Sequence, residues 1–116
     1  MMRKYPHLAY ASGKAWTALR MLCVPNVQQK TRILNAQLNL YAVPRGGIPN
    51  PILRELRDLD DKLLAEPRRR YSSETLPQAN IREMSWKKRQ DTAEKIAFIC
   101  SQIFEACGAN GLSALT

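Results

Sequence analysis

No aspartate or glutamate occurs in the first 54 residues of this 116-residue chain. Eight cations do: Arg3, Lys4, Lys14, Arg20, Lys30, Arg32, Arg45 and Arg54. From Glu55 onward ten basic and ten acidic residues cancel, so the formal charge of +8 belongs to the N-terminal half. A segment without anions cannot neutralise its own cations locally. It attracts polyanions or an acidic partner surface.

Other scarcities exclude classes of function. The one histidine, His7, leaves nucleophilic and acid–base schemes without a base near any Ser or Cys in sequence. Three cysteines, Cys23, Cys100 and Cys107, are an odd number at wide spacing, which is no disulfide framework, and no C-x-x-C is present to hold zinc. All three fall on the apolar faces of predicted helices and read as small hydrophobes of a reduced, cytoplasmic protein. No metal or cofactor is expected. No run approaches the ~18 apolar residues of a membrane span. No charged start leads into an apolar stretch and a cleavage site, as a secretory signal requires. The basic, acid-poor N-terminus shares features with organelle transit segments, but these are Ser-rich, and only Ser12 precedes Ser72.

What is present is 45% apolar, ordinary for a globular chain and enough for one modest core. The periodicity is helical throughout. Leu8, Ala11, Ala15, Leu19, Leu22 and Cys23 make one stripe of a first helix over Pro6–Val24, bordered by Trp16. Pro25 ends it. Asn26 and Gln29 have capping-box spacing and open a second helix, to about Ala42. Val27, Thr31, Leu34, Leu38 and Tyr41 form its expected core stripe, and Ile33 and Leu40 a second, smaller patch. Homodimerisation through that patch would add core to a small domain.

Two prolines and two glycines make Val43–Asn50 a loop. Asn50 and Pro51 start a third helix with the stripe Ile52, Leu56, Leu59 and Leu63. Its charges face one another at i,i+4, as in Arg54–Asp58 and Arg57–Asp61, marking a solvated side. A polar loop follows near residues 67–79. Asn80 with Glu83 then opens the last helix, which ends near Cys107 with Gly108 as its cap. Its core stripe is Ala93, Ile96, Ala97, Cys100, Ile103, Phe104 and Cys107, and Ser85 offers a second start within it. The expected architecture is all-α: a bundle of about four helices, no sheet, in one domain over residues 1–108, with a short flexible tail over 109–116.

Three constellations carry possible chemistry. Gln28, Arg32, Asn35 and Asn39 share one helix face, and these side chains can make bidentate bonds to base edges. The competing reading is an ordinary solvated face or amides bonding between helices. Arg68, Arg69 and Arg70 precede Tyr71 in the loop, where long cations reach phosphates and an aromatic can stack on a base. Trp86 precedes Lys87, Lys88 and Arg89, and its spacing makes it an edge residue of the core more readily than an anchor. The Asp58, Asp60 and Asp61 cluster lacks any sign of the burial that splits carboxylate pKa values.

The chain therefore reads as a small, basic, non-enzymatic binding protein. The favoured partner is nucleic acid or a nucleoprotein complex, met by Lys14, Arg20, Gln28, Arg32, Asn35, Asn39 and Arg45, with Arg68–Arg70 adding contacts. The alternative is an adaptor or inhibitor docked on an acidic protein surface, with Ile33, Leu40 and Trp16 as anchors.

Overall fold

The computed structural model describes residues 8–115, with side chains as far as Gly108. These residues form α1 (Leu8–Leu22), α2 (Gln29–Tyr41), α3 (Asn50–Leu64), α4 (Leu76–Glu83) and α5 (Trp86–Leu115), and among the described residues there is no strand. The chain is all-α as expected, with five helices rather than about four. The start expected at Pro6, and His7, lie outside the described residues.

The additional helix arises at Ser85. Met84 adopts extended backbone (ψ 143°), so the helix before it cannot continue. Ser85 begins the next one. Its Oγ accepts the Lys88 N–H at 3.2 Å and its carbonyl accepts the Arg89 N–H at 3.0 Å. Arg89 closes the other side of the break: Nε donates to the Ile81 carbonyl at 3.1 Å and Nη2 to the Arg82 carbonyl at 3.0 Å. Both are carbonyls of the last turn of α4; that of Ile81 also accepts the Met84 N–H at 3.2 Å. At the far end α5 runs through Gly108 to Leu115 rather than stopping at Cys107. Glycine inside a helix costs only ~1 kcal/mol against alanine, which a long helix absorbs.

Two expected caps are replaced by others. Asn26 has φ 62°, the left-handed region that asparagine tolerates, so it turns the α1–α2 corner instead of capping. Gln28 stands at the α2 N-cap without a side-chain cap bond. The capping box of α4 is Thr75 with Gln78, not Asn80 with Glu83. Asn80 is recruited elsewhere. Its Nδ2 lies 2.8–3.0 Å from the Leu63, Ala65 and Leu76 carbonyls, tying the end of α3 to α4.

One buried cluster draws on all five helices. Helix α1 packs on both α2 and α5, and α3 packs on α4 and α5. Ala11, Ala15 and Ala18 are fully buried, and such small side chains let α1 approach its two neighbours closely. The α3 stripe Ile52, Leu56, Leu59 and Leu63 is buried as expected, each leucine contributing about 1.5–3 kcal/mol by leaving water. On α5 the buried apolar residues are Ile96, Ile99, Cys100 and Ile103, and Thr92 is buried with them.

Helix α2 is inverted relative to the sequence reading. Ile33, Ala36, Gln37 and Leu40 are buried, while Leu38 and Tyr41 are 52% and 54% exposed. The helix has two apolar faces, and Ala36 decides between them. It widens the Ile33–Leu40 patch into an arc that fits against the alanines of α1. The expected anchors Ile33 and Leu40 are thus core residues, and Trp16 is exposed, edge-on to Phe104 at 6.2 Å. Two further expectations are corrected. Cys23 is exposed, and Trp86 is 68% exposed rather than a core-edge residue. The i,i+4 ion pairs expected along α3 are absent among the described residues. Lys95 of α5 instead pairs with Glu55, and it lies 3.9 Å from Asp58.

Candidate nucleic-acid interface

The sequence separates three basic features that the fold brings around α4. The loop between α3 and α4 is strapped down by acids. The Glu83 carboxylate accepts the backbone N–H groups of Arg68 at 3.0 Å and Arg69 at 3.1 Å. Glu74 accepts Arg82 Nε at 2.7 Å, Arg82 Nη2 at 3.0 Å and the Tyr71 N–H at 3.0 Å. Arg82 also donates to the Arg69 carbonyl at 2.7 Å, and its guanidinium lies 4.4 Å from the Tyr71 ring centre. The Arg82 hydrogen bonds, then the Tyr71 N–H, hold the Glu74 carboxyl below its ordinary range.

This scaffold fixes the backbone at Arg68 and Arg69 and leaves their side chains outside. Neither has an ion-pair partner within 4 Å among the described residues, and nor does Lys87 or Lys88. Arg68 and Lys88, twenty positions apart, line one groove of about 700 Å³ together with Lys62, Met84, Glu83 and Asp91. A second groove of about 300 Å³ sets Lys30 of α2 beside Ser73, Gln78 and Arg82. A third, of about 260 Å³, joins Leu22, Gln29 and Arg32 to Gln90 and Glu94 of α5. The α1–α2 corner, the basic loop and the α4–α5 corner therefore meet at one end of the bundle.

The local field at that end is positive. From Lys62 to Asp91 there are eight Lys or Arg against four acids. Two of those acids, Glu74 and Glu83, already accept hydrogen bonds from the loop and α4. No helix has an acid in its first turn, and α5 begins Trp86-Lys87-Lys88-Arg89. Cations at a helix N-terminus oppose the macrodipole and cost stability, ~0.3–1 kcal/mol each when near the end. An anion placed there would relieve that repulsion.

The anticipated site residues divide. Arg68 and Arg69 are exposed at this end, while Arg70 Nε donates to the Glu74 carbonyl at 2.9 Å. Arg20 is exposed in the last turn of α1, and Lys14 lies 5.6 Å from the Tyr10 ring centre. Of the amide–arginine row only Gln28 is exposed. Arg32 turns inward: Nη1 donates to the Leu22 carbonyl at 3.5 Å and Nε is buried without a partner. Asn39 Nδ2 donates to the Asn35 carbonyl at 3.0 Å, one turn back. Arg45 pairs with Asp60 at 2.8 Å, and burial nevertheless pushes the Asp60 carboxyl upward because desolvation outweighs the nearby guanidinium. Arg32, Asn39 and Arg45 are thus engaged in holding the fold. Lys30, Lys62, Arg82 and Lys88 take positions that sequence reasoning did not assign. A charge count over Lys62–Asp91, rather than over the whole second half, would have flagged three of them.

Among the described residues no three His, Cys, Asp or Glu side chains gather where a metal could bind. Burial pushes the Cys100 thiol up to about 11, away from nucleophilic use. No described helix is long and apolar enough to cross a membrane. No protein-family model matches the chain, and neither does any curated protein or solved structure.

Proposed function

We propose that the protein is a non-enzymatic nucleic-acid-binding domain that contacts the sugar–phosphate backbone with the basic end formed by the α3–α4 loop and the α4–α5 corner. The observation that carries this reading is the meeting of Arg68 and Lys88 on one groove, both without ion-pair partners among the described residues, beside an acid-poor helix start. Backbone contacts of this kind are sequence-independent and strongly salt-dependent. The base-reading row on α2 has no part in the proposal, because Arg32 and Asn39 are occupied within the fold.

Binding of generic duplex and single-stranded oligonucleotides, followed by anisotropy at several salt concentrations, tests it. Four or five phosphate contacts lower the affinity by ~10²-fold between ~50 and ~200 mM salt. Absence of binding at low salt would falsify the proposal. A protein-partner reading is favoured by one separate observation, the half-exposed Leu38 and Tyr41 on α2. On that reading Leu38→Ala with Tyr41→Ala abolishes capture of a stoichiometric acidic protein and leaves oligonucleotide binding intact.

A further inference from the structure

The exposed rings at the basic end are not used by a backbone contact. Among the described residues Trp86 is the most exposed large apolar side chain at 68%, and Tyr71 is 51% exposed. Each adjoins cations in the chain, Tyr71 following Arg68–Arg70 and Trp86 preceding Lys87–Arg89. Tyr71 lies against Arg82, Arg82 donates to the Arg69 carbonyl, and Arg68 shares its groove with Lys88, two residues beyond Trp86. Tyr71 is also ordered before any ligand arrives, since its N–H is held by Glu74 and its ring faces the Arg82 guanidinium. Stacking on it forfeits little side-chain freedom.

In a duplex the base faces are covered by their neighbours, so an aromatic side chain has nothing to stack on. In a single strand every base offers a free face, and each stacked base strengthens binding whatever its identity. Cations interleaved with exposed rings therefore select unpaired strands. We infer that the basic end binds single-stranded nucleic acid, with phosphates on Arg68, Arg69 and Lys88 and bases stacked on Tyr71 and Trp86. The inference rests on the backbone-binding reading above and specifies the form of its ligand. Trp86 and Lys88 stand about 200° apart around α5 at 100° per residue. The strand thus crosses the helix start instead of following one face of it.

The test uses the full chain carrying Trp16→Phe, which keeps an aromatic ring beside Phe104 and leaves Trp86 as the sole tryptophan reporter. It is titrated at low salt with an oligo-dT single strand and with a blunt-ended, fully paired duplex of equal length. The single strand quenches Trp86 fluorescence and the duplex does not. In the unmodified background, Trp86→Ala and Tyr71→Ala each weaken single-strand binding about tenfold. Duplex binding stays within about twofold, and Trp86→Phe and Tyr71→Phe retain most of the single-strand affinity. Circular dichroism melts verify that these surface variants fold. Tighter duplex than single-strand binding, or unchanged single-strand affinity in both alanine variants, overturns the inference alone. Binding of neither polymer overturns it together with the reading beneath it.

Discussion

Replacing Lys88 by glutamate should move stability and binding in opposite directions. Lys88 lies in the first turn of α5, where three cations and no acid face the positive end of the helix dipole. The exchange removes an unfavourable charge and adds a favourable one, each worth ~0.3–1 kcal/mol, a swing of about 1 kcal/mol. Repulsion from Asp91, three residues on, returns ~0.2–0.5 kcal/mol. Glu83, across the same groove, adds to that opposition. The backbone bond from Lys88 N–H to Ser85 Oγ is unaffected by the change of side chain. The balance is a gain of ~0.5 kcal/mol, which raises Tm by ~2 °C in a chain of this size. Binding loses one phosphate contact and gains a repulsive carboxylate. The plot of log affinity against log salt becomes shallower by ~0.7–1, and affinity at low salt falls about tenfold or more. Thermal melts followed by circular dichroism, with anisotropy titrations at four salt concentrations, measure both. A loss of more than ~1 kcal/mol of stability would show that Lys88 is structural. An unchanged salt slope would show that the groove is not the interface.

The inversion of α2 predicts that Leu40→Ala costs ~2–5 kcal/mol in denaturant unfolding while Leu38→Ala costs less than ~1 kcal/mol; the reverse order would restore the face expected from sequence. Glu74 makes the loop pH-dependent. Its folded pKa is depressed from the ordinary 4.5, so its contribution is complete above that value and is lost as the pH falls through the lower folded pKa. Amide exchange at Tyr71, whose N–H donates to Glu74, should accelerate in that acid window, and Glu74→Gln should abolish the pH dependence. Thiol labelling of the native protein should modify exposed Cys23 promptly and buried Cys100 only on unfolding; equal rates would contradict the burial of α5.

How much of this was legible depended on whether a residue's partner lay close in sequence. The α3 stripe was readable because Ile52, Leu56, Leu59 and Leu63 form a single apolar face with no competitor. Helix α2 was misread because Leu34, Leu38 and Tyr41 make as good a stripe as Ile33 and Leu40. The choice between them lies in the small alanines of α1, which periodicity on α2 does not contain. Thr75–Gln78 and Asn80–Glu83 have the same three-residue spacing. What separates them is the pair of carbonyls at the end of α3, fifteen or more residues away, that claim Asn80. The same holds for the candidate site. Arg68–Arg70 and Trp86–Arg89 were each visible as basic clusters. That Glu83 pins one beside the other, and that Lys30 joins Arg82, follows only from tertiary packing. Arg32, Asn39 and Arg45 looked free because their acceptors, a helix-end carbonyl, a backbone carbonyl one turn back and the partly buried Asp60 carboxylate, carry no mark in the sequence.

The location of the interface is tested most directly by amide chemical-shift mapping of the full chain titrated with an oligo-dT single strand at low salt. The largest shifts are expected over residues 68–73 and 82–90, with smaller ones at Gln28–Lys30 and none centred on Asn35–Tyr41. Shifts centred on the exposed face of α2, or no shifts at saturating oligonucleotide, would contradict that location.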